Sequence, residues 1–117
     1  MKSVPFKAKS TFDLRGGYFK GQGTIRLQGD DIVVEVQVWP LPTFKQTVRT
    51  YSFDMTDLEE IRHTRRFWGD TLTLRTRPME RVTEIPGAAN GALTLKVKRA
   101  DRPALDAFLD RLELWLV

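Results

Sequence analysis

The chain has 117 residues, with 19 lysines and arginines against 15 acidic residues, no cysteine and one histidine. This length suits one domain, because domains usually hold about 100–150 residues. Hydrophobic and charged contents of 41% and 29% are typical of globular proteins and argue against disorder. Without cysteine, a disulfide framework, a thiolate zinc site, an iron–sulfur cluster and a cysteine nucleophile are excluded, and the single His63 excludes a two-histidine metal site. We therefore expect no cofactor and no metal.

The net charge of +4 is distributed in blocks along the chain. Residues 1–20 carry +4, residues 21–60 carry −4, residues 61–81 carry +4 from six arginines and two acids, and residues 82–117 are neutral. Arginine forms paired hydrogen bonds with phosphate and carboxylate, so the third block indicates an anionic partner. The same arginines would also suit a solvent-exposed face of a strand, where their charge keeps the protein soluble.

No apolar run approaches the roughly 20 residues that a membrane-spanning helix needs. Residues 1–10 contain lysines but no apolar stretch behind them, unlike a signal peptide. These features predict a cytoplasmic protein without a transmembrane segment. Binding to an anionic membrane surface would place this protein at the periphery of the inner membrane.

In chain order, residues 1–17 look irregular, and most of the chain that follows alternates apolar and polar residues with the period of a strand. The turn signals are Gly29-Asp30, the prolines after Trp39, and Asn90-Gly91. The predicted strands span about 24–28, 31–38, 47–54, 58–66, 71–77, 81–85 and 93–98.

The end of the chain changes to helical spacing. Asp101 is a suitable N-cap, and Pro103 falls in the first turn, where its missing N–H is tolerated. An apolar stripe follows, formed by Leu105, Phe108, Leu109, Leu112, Trp115 and Leu116. The pattern predicts an amphipathic helix whose apolar side covers the rest of the molecule.

Seven strands followed by a closing helix resemble the pleckstrin-homology-like superfold. The hairpin 23–34 carries the resemblance, and 51–61 looks like the third-to-fourth strand passage of bacterial PH-like and GRAM-like domains. The helix 101–116 is similar to the one that closes those barrels. We therefore expect a mainly β fold, a seven-stranded bent sandwich or barrel capped by the helix. We expect residues 1–117 to form one domain with its core at about 18–116. The structural alternative is a seven-stranded sandwich with an appended helix.

The resemblance also bears on function. The best-known activity of PH domains is binding phosphoinositide headgroups, through a lysine in the first strand and a basic pair after the first loop. Here the loop contains Asp30 and Asp31, and Glu35 follows where basic residues would be needed. Carboxylates repel a phosphorylated inositol, so lipid binding at the usual site is not expected. Small PH-like modules often bind proteins, which the resemblance implies for this chain.

Three patterns were considered for catalysis or phosphate binding. Asp54, Asp57, Glu59 and Glu60 are clustered, but no glycine lies between Gly29 and Gly69 to form a calcium loop, so capping and solvation explain these acids. His63 lacks a recognisable orienting partner for general-base chemistry. The glycines near position 20 precede a strand, whereas a phosphate loop precedes a helix. We therefore predict that the protein is not an enzyme.

The remaining candidate is an arginine-rich hairpin between the fourth and fifth predicted strands, with aromatic residues at its turn. Aromatic and arginine side chains anchor many protein interfaces. The function predicted is therefore binding of a protein partner or self-association. An anionic membrane surface and a nucleic acid are alternatives, the nucleic acid being disfavoured because the basicity is modest. The candidate site residues are Arg62, Arg65, Arg66, Trp68, Arg75, Arg77 and Trp39.

Overall fold

The computed structural model describes residues 3–8, 11–13, 17–39, 47–77, 82, 85 and 88–116. Within them the protein is mainly β, with antiparallel strands followed by a C-terminal helix. The strands are β1 (Val4–Lys7), β2 (Thr11–Asp13), β3 (Gly17–Gln28), β4 (Asp31–Trp39), β5 (Thr47–Asp54), β6 (Leu58–Arg66), β7 (Gly69–Thr76) and β8 (Ala92–Lys98). The helix α1 spans Arg102–Leu116, and short 3-10 turns occupy Met55–Asp57 and Arg99–Asp101.

Seven of these described strands form one open sheet in the order β5-β4-β3-β1-β8-β7-β6, and β2 pairs with β3 beside this path. The sheet contains two antiparallel meanders, β3-β4-β5 and β6-β7-β8. Strand β1 lies between them and pairs with β3 on one side and β8 on the other. The prediction of a mainly β chain with seven strands and a C-terminal helix is confirmed.

The strand assignment differs from the prediction in two segments. Residues 1–17 were expected to be irregular, yet they contain β1 and β2, and Val4 and Phe6 of β1 are buried in the core. A four-residue strand that includes Pro5 is too short to show a clear period of two, so its alternation was not recognised. The predicted strand at 81–85 is wrong at Val82, which is helical and buried. Ile85 lies in a bend, and the other residues of that range lie outside the described residues.

The core lies between the inner face of the sheet and α1. Leu105, Phe108 and Leu112 of the helix are fully buried, as their helical spacing predicted, and α1 contacts β1 and β8. The side chain of Trp115 lies outside the described part of the chain. In β5 the alternation of residues does not by itself decide which face is buried. The structure buries Phe53, while Val48 on the other face is exposed.

Two hairpin turns follow their sequence signals. Gly29 and Asp30 form the turn between β3 and β4, and Gly29 has a φ of 60°. Asn90 and Gly91 lead into β8 with φ values of 55° and 75°. Glycine and asparagine tolerate this left-handed conformation better than other residues, so both turns agree with the prediction.

Candidate binding surface

The turn of the β6–β7 hairpin presents two large aromatic side chains to solvent. Phe67 and Trp68 occupy the two-residue turn between Arg66 and Gly69, which are paired across the hairpin. The side chains of Phe67 and Trp68 are 78% and 73% exposed. We call this pair the aromatic tip. Neither aromatic is a core residue, so their exposure needs an explanation other than packing.

The backbone does not require aromatic residues at this turn. Among the described residues, Asn90 is the non-glycine residue with a positive φ, so Phe67 and Trp68 take ordinary conformations. The position with a strict steric demand is Gly69, where a Cβ atom would lie 2.6 Å from the carbonyl oxygen of Val97. A glycine is needed there for β7 to approach β8 closely, whereas many polar residues would suit the turn itself.

Two guanidinium groups stack on the aromatic tip. The guanidinium carbon of Arg99 lies 4.7 Å from the ring centroid of Phe67, and that of Arg66 lies 5.9 Å from the ring of Trp68. Both distances are within the range of cation–π attraction. The stacked arginines place positive charge against the two exposed rings.

The hairpin is held to the helix by a buried carboxylate. The side chain of Asp70 is fully buried and paired with the guanidinium groups of Arg65 and Arg102 and with the imidazole of His63. Its Oδ2 atom lies 2.6 Å from Nε2 of His63 and 3.1 Å from Nε of Arg65, and its Oδ1 accepts a hydrogen bond from Nε of Arg102 at 2.6 Å. Arg102 also donates to the backbone carbonyl of Arg66. We call this arrangement the Asp70 anchor.

Opposing effects act on the pKa of Asp70. Burial raises it, but hydrogen bonds from His63, Arg102 and Arg65 lower it further, so the pKa lies below the ordinary value of 3.8. The carboxylate is therefore ionised throughout the physiological range. Arg65 extends the network, because its Nη2 atom donates to Asp106 on α1. Arg65, a predicted site residue, and His63 thus hold the hairpin in place through Asp70.

The other arginines predicted for the site do not gather at the aromatic tip. Arg62 pairs with Glu60 on its own strand, and Arg75 lies 3.8 Å from the same carboxylate. Arg77 donates to Glu59 at 2.9 Å, which raises the pKa of this arginine. These residues lie toward the opposite end of the hairpin. The structure therefore brings together Arg65, Arg66 and Trp68, while the side chain of Trp39 lies outside the described part of the chain.

The clustered acids have structural partners. Asp54 precedes the 3-10 turn, and its Oδ1 atom accepts hydrogen bonds from the backbone N–H and the hydroxyl of Thr56 at 2.8 and 2.9 Å. These hydrogen bonds lower the pKa of Asp54. Within the part of the chain that the structure describes, no group of three or more potential metal-ligating side chains is found. The turn-capping explanation thus fits Asp54.

A second feature of the surface was missed in the sequence. The outer face of the sheet, opposite α1, has a cavity of about 380 Å³ that three lysines line. Lys7 comes from β1, and Lys96 and Lys98 come from the adjacent β8. The alternation of lysines in β8 was visible, but Lys7 joins them only because β1 is a strand. We call this feature the lysine cavity.

Comparisons with known proteins do not identify the chain: no family model, curated protein or solved structure matches it. None of the helices in the described regions has the length and apolar character required to cross a bilayer.

Proposed function

We propose that the protein is a non-enzymatic binding module, built on a PH-like plan, that recognises a protein partner through the aromatic tip. One observation carries the proposal: Phe67 and Trp68 are 78% and 73% exposed at a turn whose backbone does not require them. Tryptophan and arginine dominate the binding energy of many interfaces, and here Arg66 stacks on Trp68. The tip supplies a rigid aromatic anchor with charged neighbours.

The PH-like plan is supported by the order of the elements. Two meanders are joined through β1, and an amphipathic helix at the end of the chain packs against β1 and β8. The β3–β4 turn is acidic, with Asp30 followed by Asp31, so the headgroup-binding site of lipid-binding PH domains has no basic equivalent there. A protein ligand is therefore favoured over a phosphoinositide.

Part of the positive charge of the hairpin is compensated within the protein. Arg65 and Arg102 share the carboxylate of Asp70, and Arg62 shares that of Glu60. The charge at the tip itself comes from Arg66 and Arg99, which stack on its two rings. Attraction to an anionic membrane adds about 1 kcal/mol for each basic residue near the surface, so vesicle binding is the outcome that competes with a protein partner.

The experiment compares the wild type with the double variant Phe67→Ser/Trp68→Ser. Each protein is used to capture partners, and a captured protein is then purified and its binding measured directly by calorimetry. We expect the double variant to lose binding, and hydrogen exchange in the wild-type complex to slow around residues 66–69. Arg111→Gln, an exposed change on α1, is the control and should bind normally.

Two outcomes would overturn the proposal. The first is a purified partner that binds the double variant as tightly as the wild type. The second is sedimentation with vesicles of anionic phospholipid that the double variant abolishes, without any protein partner, which would assign the aromatic tip to a membrane. For self-association, the molar mass in solution decides, since a tip-dependent dimer should become monomeric in the double variant.

A further inference from the structure

The lysine cavity adjoins the aromatic tip on the surface of the sheet. Lys98 of β8 is the cross-strand partner of Gly69, the residue that follows the tip. Lys96 is paired with Thr71 on one side and with Lys7 on the other. The three lysines thus form a basic strip that starts beside the tip and crosses from β8 to β1. A ligand bound at the tip can continue along this strip.

The charges of the three lysines are not neutralised by neighbouring acids. Among the described residues, no carboxylate forms an ion pair with Lys7, Lys96 or Lys98, and all three are exposed. Two acids line the same cavity, Glu35 and Asp101. Glu35 is already paired with Arg26, which leaves one carboxylate against three ammonium groups. The cavity therefore carries an unbalanced positive charge, unlike the hairpin, whose arginines are mostly paired.

The lining of the cavity also has apolar surface. Pro5 and the 56% exposed Val48 contribute it beside the lysines. The missing side chain of Gly23 has a different role, because Gly23 pairs with the buried Phe6 and a Cβ atom there would lie 2.8 Å from a carbon of that ring. The cavity thus combines ammonium groups with apolar contact.

The spacing of the lysines matches an extended peptide. Lys96 and Lys98 are two residues apart on the same face of β8, so their Cα atoms are about 7 Å apart along the strand. Carboxylates at alternate positions of an extended peptide have the same spacing, since side chains of a strand repeat every two residues.

We propose that the lysine cavity binds an acidic segment of the protein partner, in an extended conformation with carboxylates at alternate positions. This inference rests on the proposed function, because it extends the same interface from the aromatic tip. One carboxylate contacts the cross-strand pair Lys7 and Lys96, and the next alternate carboxylate contacts Lys98, while Val48 and Pro5 supply apolar surface beside the peptide. The tip supplies hydrophobic anchoring, and the cavity selects the charge pattern.

The test uses isotope-labelled full-length protein and synthetic peptides followed by NMR. The probe is an acetylated, amidated peptide Glu-Val-Glu-Val-Glu, compared with Glu-Glu-Glu-Val-Val of equal charge and with Gln-Val-Gln-Val-Gln. We expect the alternating peptide to shift the amide signals of residues 7, 96 and 98, the block peptide to bind more weakly, and the glutamine peptide not to bind. Lys96→Gln/Lys98→Gln should weaken binding about tenfold, as expected from losing two charge-assisted contacts.

The matched control is Arg77→Gln/Arg111→Gln, which removes the same number of charges at exposed positions away from the cavity. Equal binding losses in both double variants would overturn the inference, because net charge alone would then explain them. The inference would also be overturned if the peptide shifted only the amide signals of other residues. A protein that binds inorganic phosphate but not the alternating peptide would overturn it too.

The same experiment separates this inference from the proposed function. If Phe67→Ser/Trp68→Ser loses the partner but still binds the peptide, both stand. If the tip variant loses the partner while Lys96→Gln/Lys98→Gln keeps full affinity for it, the cavity inference fails and the proposed function stands. If neither tip residue affects the partner, the proposed function fails even where the peptide binds.

Discussion

Arg102 donates a hydrogen bond from Nε to the buried Oδ1 atom of Asp70 at 2.6 Å, and so joins the first turn of α1 to the start of β7. The same carboxylate faces His63 and Arg65 of β6 through its other oxygen. One side chain thus connects the helix with both strands of the hairpin. The aromatic tip projects from that hairpin, so the anchor determines where the tip is presented relative to the sheet.

Replacing Asp70 with alanine should destabilise the protein. The change removes the partner of two guanidinium groups and one imidazole, and Arg102, whose side chain is only 19% exposed, would lose its carboxylate partner. Uncompensated charge of this kind costs about 3 kcal/mol. Urea unfolding would measure the loss. Arg62→Gln, which breaks an exposed ion pair, is the control and should leave the midpoint unchanged. Equal midpoints for wild type and Asp70→Ala would contradict the anchor.

The anchor also predicts loss of stability in acid. The pKa of Asp70 is lower in the folded protein than its ordinary value of 3.8, so the folded state binds the proton less readily than the unfolded state. The stabilisation is fully present above about pH 5 and declines as the pH falls through 3.8 and below the folded pKa. The pKa of Asp54 is also lowered in the folded protein, so protonation of Asp54 reduces stability in acid as well. Urea midpoints measured from pH 6 to pH 2 should therefore fall less steeply for Asp70→Asn, and parallel curves would argue against the anchor.

Two matched phenylalanine substitutions should differ in their effect on the free energy of unfolding, because one ring is exposed and the other is buried. Phe67→Ala should change the free energy of unfolding by less than about 0.5 kcal/mol, since the ring is mostly in solvent. Phe108→Ala removes a fully buried ring of α1 and should cost about 3–5 kcal/mol. Thermal unfolding of both variants would test this. A large loss for Phe67→Ala would show that the tip has a structural role.

Two glycines should respond differently to alanine. At Gly23 a Cβ atom would collide with the backbone oxygen of Glu35, so Gly23→Ala must shift β3 against β4. At Gly29 no atom lies within 4 Å of the added Cβ, and the cost arises only from a φ of 60°. We expect about 1 kcal/mol for Gly29→Ala and a clearly larger loss for Gly23→Ala. Chemical denaturation of the two variants decides this, and an equal loss would contradict the steric argument.

Strand β1 should be essential despite its short length. Val4 is fully buried between the two meanders, so Val4→Asp places a carboxylate in the core and should prevent folding. Pro5→Ser, on the exposed face of the same strand, is the control and should fold. Circular dichroism and NMR would report the difference. A folded Val4→Asp variant would show that β1 does not contribute to the core.

Local patterns predicted the fold better than the surface. Regular alternation identified the strands from β3 to β8, apart from the wrong assignment at 81–85, and helical spacing identified α1. The four residues of β1 carry too short a pattern, and its place becomes evident only through pairing with strands distant in sequence. The same limit applies to the lysine cavity, because Lys7 and Lys96 are neighbours only in the folded sheet.

The candidate site shows a similar division. The arginine-rich composition of the β6–β7 hairpin was evident, but pairing with acids decides which arginines keep an uncompensated charge. Asp70 lies between the predicted strands 58–66 and 71–77, where no local pattern indicates burial, and its role depends on Arg102, which lies 32 residues later in the chain. The exposure of Trp68 could not be derived either, since an aromatic residue at a turn either packs or projects according to tertiary contacts.

The position of β1 has a consequence for synthesis on the ribosome. This strand precedes the other described strands in the chain, and it can pair with β3 as soon as that strand emerges. Its other edge pairs with β8, which is made last among the described strands. Until then the nascent chain carries an open edge with unpaired backbone groups, which can pair with another chain. We therefore expect a ribosome-bound chain that ends before residue 92 to depend on chaperones, and the emergence of β8 to complete the sheet.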